Sequence, residues 1–266
     1  MARVVLITGS SSGIGQVTAD LFARRGWNVA ATSRSVEAIQ TRDNVRAFHL
    51  DVTNESSVRA AVAAAVKEFG TIDVLVNNAG YGLFGPLEGA SAEQIETLFR
   101  TNVLGVVCVT NCVLPVMREK RSGTIVNVSS VAGRTATAFM AGYHATKFAI
   151  EGLSESLRYE LSLHGIRVKL VEPAHFKTDF LTRSLQTTQH PAYAKAFDNF
   201  MGYVHKEDDK APGPGPVAEA IYRAATDQSN KLRFPVGGKV ILALASLLPD
   251  PVWRSLNAAG MTRPVK

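Results

Sequence analysis

Residues 4–15 read Val4-Val5-Leu6-Ile7-Thr8-Gly9-Ser10-Ser11-Ser12-Gly13-Ile14-Gly15, and this stretch determines the fold of the 266-residue chain. The apolar run predicts a buried strand, and a helical pattern begins at residue 14. Gly9 permits the tight turn between them, Gly13 a close approach to the backbone, and Gly15 close packing of helix on strand. The start of that helix offers free N–H groups and a positive dipole end to phosphate groups. The stretch therefore predicts a strand–turn–helix unit that binds a phosphate-bearing ligand.

The same alternation of strand and helix continues along the chain. Strands are predicted at 3–8, 27–32, 46–50, 73–77, 123–129, 166–171 and 231–235. Helices are predicted at 14–25, 55–69, 92–118, 142–163 and 216–227. This order is typical of an α/β fold with a mostly parallel, doubly wound sheet of about seven strands and helices on both faces. We expect one domain over residues 1–266, with a mobile excursion at 181–215 that covers the substrate, because that segment is polar and contains prolines and glycines.

Composition excludes several other classes of protein. The net charge is +6, but the basic residues are dispersed, so we expect no nucleic-acid partner. Cys108 and Cys112 lie one helical turn apart without a second pair of metal ligands, and we interpret them as core thiols rather than half a metal site. No apolar run is long enough for a membrane span, and 239–249 reads as a packed or interfacial helix. The segment before the first strand has no signal-peptide pattern, so we expect a cytoplasmic protein.

Tyr143 and Lys147 form the most informative pair of side chains. They stand four residues apart in a predicted helix, so one turn places them on the same face. A free tyrosine has a pKa of about 10, and a neighbouring ammonium favours the phenolate and lowers that value. The pair therefore predicts a phenol that exchanges a proton with an alkoxide.

Three further motifs occur in a fixed order around this pair. Asn77-Asn78-Ala79-Gly80 follows the apolar run 74–76, Ser130 ends the run 125–129, and Pro173-Ala174-His175-Phe176-Lys177-Thr178 follows the sixth strand. With the glycine-rich turn, this set resembles the short-chain dehydrogenase/reductase family over nearly the whole chain. The resemblance implies a Rossmann-type fold and an oxidoreductase that transfers a hydride between a nicotinamide dinucleotide and a carbonyl or alcohol.

The resemblance also implies a catalytic group. Tyr143 is the expected general acid and base, and Lys147 lowers its pKa and holds the nicotinamide ribose. Ser130 hydrogen-bonds the substrate oxygen, and Asn102 orders a water that relays protons to Lys147. His144 points away from Tyr143 on a helix and is expected to be a packing or surface histidine.

The cofactor site is expected at the glycine-rich turn and four later segments. An acidic residue at the end of the second strand is usual for NAD, but Thr32-Ser33-Arg34 stands there, and the Arg34 guanidinium suits a 2′-phosphate. We therefore predict NADP(H). By resemblance, Asp51 contacts the adenine and Thr178 the carboxamide, with Ala174 where the family has glycine. The full predicted cofactor set is Gly9, Ser11, Ser12, Gly13, Ile14, Gly15, Ser33, Arg34, Asp51, Val52, Asn78, Ala79, Gly80, Tyr143, Lys147, Pro173 and Thr178.

The substrate is expected to be a hydrophobic ketone, aldehyde or alcohol. The segments 81–87 and 232–238 resemble the 17β-hydroxysteroid and retinol dehydrogenase branch. A set of aromatic residues and two methionines either lines an apolar pocket under a lid or packs against a helix or another subunit. They are Phe139, Met140, Phe176, Phe180, Phe197, Phe200, Met201 and Tyr203. Family members commonly pair through the Tyr143 helix, so we expect a homodimer or homotetramer. The alternative is a catalytically weak NADP(H)-sensing regulator. A sugar-nucleotide epimerase fits poorly, because those relatives are usually longer.

Overall fold

A computed structural model describes residues 2–249, 251–253 and 255. Seven parallel strands form its central sheet. In spatial order they are β3 (Val45–His49), β2 (Asn28–Ser33), β1 (Val4–Thr8), β4 (Val74–Asn77), β6 (Gly123–Val128), β7 (Ile166–Pro173) and β9 (Arg233–Val236). The strand order reverses between β1 and β4, which is where open α/β sheets bind their ligands. The predicted seven-stranded, doubly wound sheet is confirmed.

Helices cover both faces of this sheet. On one face α1 (Gly13–Arg24) and α8 (Gly215–Thr226) bury apolar side chains against β1, β2 and β4. On the other face lie α2 (Glu55–Phe69), α4 (Gly105–Glu119) and α5 (Ala141–Ser162). Both faces are therefore covered by helix, which explains why the strands are apolar on both sides rather than alternating.

The predicted helix over 92–118 is interrupted. It consists of α3 (Ala92–Phe99), a π-helical turn at Arg100–Leu104, and α4. An 18-residue window of the helical segment Ala92–Glu119 has a mean hydropathy of 1.5, so by length and composition alone this segment could cross a membrane. Val109, Val113 and Met117 are fully buried against the core, so it is a core helix of this domain.

The segment over 181–215 contains more regular structure than the sequence predicts. The four-residue helix α6 (Phe180–Arg183) leads into β8 (Leu185–Thr187), which pairs in parallel with β5 (Gly82–Phe84) as a separate two-stranded sheet. The helix α7 (Ala194–Lys210) follows. The excursion is therefore built from helices and a strand rather than an irregular loop. Its mobility and its role as a cover over the substrate stay predictions.

A buried ammonium ties β7 to the segment between α8 and β9. Lys169 is 1% exposed, and its Nζ donates to Asp227 Oδ1 at 2.8 Å and to the carbonyls of Ser229 at 2.7 Å and Lys231 at 2.8 Å. All three donors are satisfied, so the buried charge is compensated. Hydrogen bonds from Lys169 and Ser229 lower the pKa of Asp227 to about 2.

The last described helix, α9 (Lys239–Leu247), lies mostly on the surface. Leu242 is its buried residue, whereas Val240 and Leu247 are 70% and 81% exposed. Leu242 packs on the domain, and the exposed apolar residues of this helix leave both predicted possibilities, a packed or an interfacial helix, as predictions. The two cysteines behave as predicted: both are half-buried free thiols against the core, and burial raises the pKa of Cys108.

Candidate active site

A cavity of about 610 Å³ opens at the carboxyl ends of the strands. It runs from the turn after β1 to the loop after β7 and the cover. Nearly all of the predicted site residues line it. They are Gly9, Ser11, Ser12, Gly13, Ile14, Ser33, Arg34, Asp51, Val52, Asn78, Ala79, Gly80, Ser130, Tyr143, Lys147, Pro173 and Thr178. Two predicted residues, Gly15 and Asn102, do not line the cavity, because each packs against neighbouring segments instead.

The glycine-rich turn has the conformation that its sequence predicts. Gly9 and Gly13 have φ angles of +71° and +54°, which side chains rarely adopt. At Gly15 an added Cβ would lie 2.1 Å from the Gly9 carbonyl oxygen, so its task is to bring α1 against the turn. Ser12 caps α1 without a side-chain hydrogen bond, and the first turn has no acidic residue. The helix start therefore presents its amide groups to the cavity and suits a diphosphate.

The end of β2 forms the second part of the wall. Arg34 is exposed, and its guanidinium has no ion-pair partner within the described residues. Burial alone would raise the pKa of Asp51, but hydrogen bonds from the Thr53 amide and hydroxyl and the charge of Arg34 outweigh it and lower the value. A bound anion at this end of the cavity would lie near the Arg34 guanidinium, which has no ion-pair partner within the described residues. The Asp51 carboxylate beside it already accepts hydrogen bonds from Thr53.

The segment after β4 is fastened to the end of β1. Thr8 Oγ1 accepts from the amides of Asn78 and Ala79, both at 3.0 Å. Asn78 Nδ2 donates to the carbonyls of Thr8 and Gly9 at 2.9 and 3.2 Å. Asn77 instead points into the core and donates to Asn127 Oδ1 at 2.9 Å. Of the two asparagines, the second therefore reaches the cavity.

Ser130, Tyr143 and Lys147 meet at the middle of the cavity. Lys147 Nζ lies 5.6 Å from the centroid of the Tyr143 ring and donates to the Val128 carbonyl at 3.0 Å. The Ser130 hydroxyl hydrogen-bonds the Tyr143 phenol and lies 3.1 Å from the Pro173 carbonyl. The shared helical face that the four-residue spacing predicts therefore exists in the structure.

The predicted pKa of Tyr143 is wrong for the protein alone. Burial raises it to about 12, although the Ser130 hydrogen bond lowers it. The phenol stands among Phe84 and Phe180, with ring centroids at 5.9 and 6.1 Å, and these apolar neighbours disfavour a phenolate. Burial also lowers the pKa of Lys147 to about 8, against the charge of Glu151. At neutral pH the pair is therefore a neutral phenol beside an ammonium.

Asn102 has a different environment from the one expected. It is 3% exposed, its Oδ1 accepts from the Tyr81 amide at 3.0 Å, and its Nδ2 donates to the Tyr81 carbonyl at 2.8 Å and to Thr146 Oγ1 at 3.2 Å. Its side chain fastens the segment after Gly80 to α5, which explains why it does not line the cavity. The water relay assigned to it by resemblance stays a prediction.

His144 is a buried structural histidine. Of its two predicted roles, a packing or a surface histidine, the structure shows the first. Its Nε2 accepts from the Thr137 amide at 2.9 Å, so the proton lies on Nδ1, which donates to the Ala132 carbonyl at 2.8 Å. Burial lowers its pKa, so the ring stays neutral at neutral pH. The ring fixes the segment between Ser130 and α5.

The loop after β7 closes the cavity opposite the glycine turn. A Cβ at Gly13 would lie 3.6 Å from Thr178 Cβ, so the two residues face each other. Ala174, in the place of the family glycine, continues the sheet by donating its amide to the Val236 carbonyl at 2.8 Å. The alanine is therefore compatible with the strand pairing at this position.

Both predicted possibilities for the aromatic residues are realised, by different members. Phe176 and Phe180 line the cavity, with Phe84 and Met140. Phe197 and Phe200 are the buried residues of α7, and each packs on Phe139 with ring centroids 5.5 Å apart.

Sequence reasoning missed several polar residues that line the cavity. They include Thr97, Thr101, Arg183 and Gln186. Tyr81, the first residue of the predicted substrate-side segment 81–87, lines the cavity as well. The pairing of β5 with β8 brings Arg183 and Gln186 into place.

The chain belongs to the short chain dehydrogenase family, whose model matches residues 3–189. It is 38% identical over 254 residues to a 3-ketodihydrosphingosine reductase of Bacteroides thetaiotaomicron, with 93% of this chain and 94% of that protein covered. It is 36% identical to a 3-oxoacyl-[acyl-carrier-protein] reductase of Vibrio cholerae, with 71% and 80% covered. These relatives identify the chain as a member of an oxidoreductase family.

Solved structures agree with this assignment. A short-chain dehydrogenase from Streptomyces avermitilis superposes with a TM-score of 0.84 at 34% identity, covering 96% of this chain and 95% of that one. ElxO with NADP bound superposes with a TM-score of 0.75 at 30% identity, covering 91% and 100%. A 3-ketoacyl-(acyl-carrier-protein) reductase from Brucella melitensis, complexed with NADH, gives a TM-score of 0.75 at 28% identity, covering 88% and 97%. The fold therefore takes a nicotinamide cofactor in its structural neighbours.

Proposed function

We propose that this protein is an NADP(H)-dependent reductase of a hydrophobic ketone or aldehyde, or a dehydrogenase of the corresponding alcohol. One observation carries the proposal: a single cavity joins the uncapped start of α1, the free cation of Arg34, and the Ser130–Tyr143–Lys147 group. The first two suit a dinucleotide phosphate, and the third suits a carbonyl oxygen.

The residues present fit the cofactor. The glycine turn would hold the diphosphate, Ser33 and Arg34 the 2′-phosphate, Lys147 the nicotinamide ribose, and Thr178 the carboxamide. When bound, the dinucleotide supplies or accepts the hydride. The bound NADP of ElxO supports this choice, while the NADH of the Brucella reductase supports a nicotinamide cofactor in general.

The protein's own groups act on the substrate oxygen. Ser130 and Tyr143 are hydroxyl donors on one side of the cavity, and they stabilise the negative charge that develops on that oxygen. A pKa of about 12 keeps Tyr143 protonated at neutral pH, which suits a general acid in the direction of reduction. Lys147 carries a positive charge at neutral pH and stabilises the phenolate left after proton transfer.

The substrate end of the cavity is apolar on one side and polar on the other. Phe84, Met140 and Phe180 favour a hydrophobic body, which agrees with the resemblance to the hydroxysteroid and retinol branch. The Bacteroides relative is named for a 3-keto lipid, which supports the same class of substrate. We therefore propose a ketone on a hydrophobic chain or ring.

The test follows NADPH absorbance with a panel of apolar ketones and aldehydes. We expect turnover by the wild type and loss of at least about a thousandfold in Tyr143→Phe with NADPH binding retained, since removing a general acid costs about 10²–10⁴-fold and the phenol also holds the oxygen. Tyr222→Phe, at a half-buried tyrosine on α8 that does not line the cavity, is the control and keeps the wild-type rate. A regulator that senses NADP(H) would bind NADPH and turn over none of the panel.

We also propose that two or four copies assemble through the α5 face. Phe148, Tyr159 and Leu163 on or next to α5 are 46%, 65% and 73% exposed, and Leu104 before α4 is 58% exposed. Light scattering of the wild type is expected to give the mass of a dimer or tetramer. Phe148→Glu is expected to reduce that mass, and a monomeric wild type contradicts the assembly.

A cytoplasmic location remains part of the proposal.

A further inference from the structure

Two buried carboxyl groups lie behind the catalytic group, on the side away from the cavity. Glu151 is 6% exposed and stands one turn after Lys147 on α5, and Glu172 is fully buried near the end of β7. Neither residue lines the cavity, so neither touches the substrate. Carboxyl groups are almost never this buried unless something compensates their charge.

Arg233 brings the two carboxyl groups together. Its Nε lies 3.2 Å from Glu151 Oε2 and 3.4 Å from Glu172 Oε1. Arg134 is 3.7 Å from Glu172 Oε1, beyond hydrogen-bond distance, and Arg233 also binds the exposed Glu155 at 2.8 Å. Three carboxyl groups therefore share two guanidinium groups, and Glu151 and Glu172 both approach the single Nε–H of Arg233, to which only Glu151 makes a hydrogen bond.

The surroundings of the two buried carboxyl groups indicate which of them holds a proton more readily. Glu151 makes a hydrogen bond to Arg233, whereas neither oxygen of Glu172 has a well-formed hydrogen bond within the described residues. Burial and the neighbouring Glu151 raise the pKa of Glu172 to about 7, and burial raises that of Glu151. Two buried carboxyl groups that both lie against the same Arg233 Nε do not both ionise readily, so the pair holds on to one proton to a higher pH than free carboxyl groups do.

The cluster is in contact with the catalytic segment. An added Cβ on Gly133 would lie 2.8 Å from Ser129 Oγ, 2.9 Å from Glu151 Cγ and 2.9 Å from the Lys147 carbonyl oxygen, so these groups converge on one point. Glu172 directly precedes Pro173, whose carbonyl lies 3.1 Å from the Ser130 hydroxyl. The carboxyl pair therefore supports both Ser130 and Lys147 from behind.

We propose that Glu151 is a positioning residue that keeps the Lys147 ammonium charged, and that Glu172 is the member of the carboxyl pair that holds a proton in mildly acidic solution. The catalytic role of this pair rests on the proposed function, but the electrostatic effect of Glu151 on Lys147 does not. Burial alone drives Lys147 towards its neutral form, and the Glu151 charge opposes that tendency. A neutral Lys147 would no longer stabilise a phenolate at Tyr143.

The link is measured first without any cofactor or substrate. In protein labelled with ¹³C at lysine Cε, the Lys147 signal, assigned by its loss in Lys147→Met, is expected to titrate near pH 8. In Glu151→Gln its midpoint falls by about one pH unit, the shift expected from losing one close opposite charge. Glu151→Asp keeps the charge and restores most of the midpoint. Glu155→Gln removes an exposed carboxylate that binds the same arginine one turn farther away, and the midpoint stays in place. An equal midpoint in wild type and Glu151→Gln overturns the proposal.

The shared proton is measured on the wild-type chain, so it does not depend on a variant that folds. With ¹³C-labelled glutamate carboxyls, infrared spectra at pH 6 are expected to show a protonated carboxyl band that fades as the pH rises through 7. Glu172→Gln is expected to lack this band. Its absence from the wild type at pH 6, or its persistence in Glu172→Gln, overturns the assignment of the proton to Glu172.

The enzymatic reading is distinguished by the rate profile. We expect the alkaline loss of kcat/KM with NADPH to move to lower pH in Glu151→Gln by the same amount as the Lys147 midpoint. If the Lys147 midpoint moves in a protein that turns over no substrate, the electrostatic link stands and the proposed function is wrong. If the midpoint moves but the kcat/KM profile of an active enzyme does not move with it, the positioning role is overturned.

Discussion

Replacing Arg34 by alanine tests the proposed preference for NADP(H) over NAD(H), because it removes the cation expected to bind the 2′-phosphate. Arg34 is exposed at the end of β2 and has no ion-pair partner within the described residues, so its removal breaks no salt bridge. A charge-assisted hydrogen bond contributes about 1.5–3 kcal/mol, and the exposure of Arg34 favours the lower half of that range. We therefore expect NADPH affinity to fall by roughly 10- to 40-fold, since about 1.4 kcal/mol is tenfold. NADH has no 2′-phosphate, so its affinity is expected to change less than about twofold.

The Kd values come from fluorescence titration of the two reduced cofactors. Arg42→Ala is the matched control: this arginine lies in the same connection from β2 to β3, pairs with Asp20 and does not line the cavity. Adding Ser33→Asp to Arg34→Ala places a carboxylate where the Ser33 hydroxyl accepts the Ser35 amide at 3.1 Å, and it is expected to repel the 2′-phosphate and reverse the preference. An NADPH-to-NADH affinity ratio that stays the same in both variants refutes the assignment of Arg34.

Two further predictions concern stability. Gly15→Ala forces a Cβ to within 2.1 Å of the Gly9 carbonyl oxygen, and urea denaturation is expected to show a loss of about 3 kcal/mol, whereas Gly152→Ala, where the new Cβ meets no atom within 4 Å, loses nothing. Equal stability of the two variants contradicts the packing argument. Asp227→Asn leaves the Lys169 ammonium buried without its carboxylate and costs about 3 kcal/mol at pH 7. Because the folded pKa of Asp227 is about 2, below its ordinary 3.8, its contribution is present above about pH 4 and is lost as the pH falls through 2. The difference between wild type and variant must narrow over that range.

Much of the fold could be predicted from the sequence because its signals are local. Apolar runs such as Val4–Thr8 mark buried strands, and the glycines of the first turn need their positive φ angles whatever surrounds them. The Tyr143–Lys147 spacing places two side chains on one helical face without tertiary information. These elements agree with the structure because backbone geometry alone determines them.

Other features depend on contacts between distant segments. The π-helical turn at Arg100–Leu104 accompanies the hydrogen bonds of Asn102 to Tyr81, a residue 21 positions earlier. The strands β5 and β8 have three residues each and pair across about a hundred positions, so neither has a readable pattern. The pKa of Tyr143 was predicted from its neighbouring charge, but burial among aromatic rings decides it.

The pairing of β5 with β8 attaches the segment that is predicted to cover the substrate, while other side chains of that segment face the cavity. The amide of Gly82 donates to the Ser184 carbonyl at 2.8 Å, and the amide of Thr188 donates to the Phe84 carbonyl at 2.8 Å, and main-chain bonds of this kind form with almost any side chain. Arg183 and Gln186 extend from the same segment into the cavity. Substitutions at these two positions can therefore change which molecules are accepted while the attachment stays constant, which gives proteins built on this plan a simple route to new substrates.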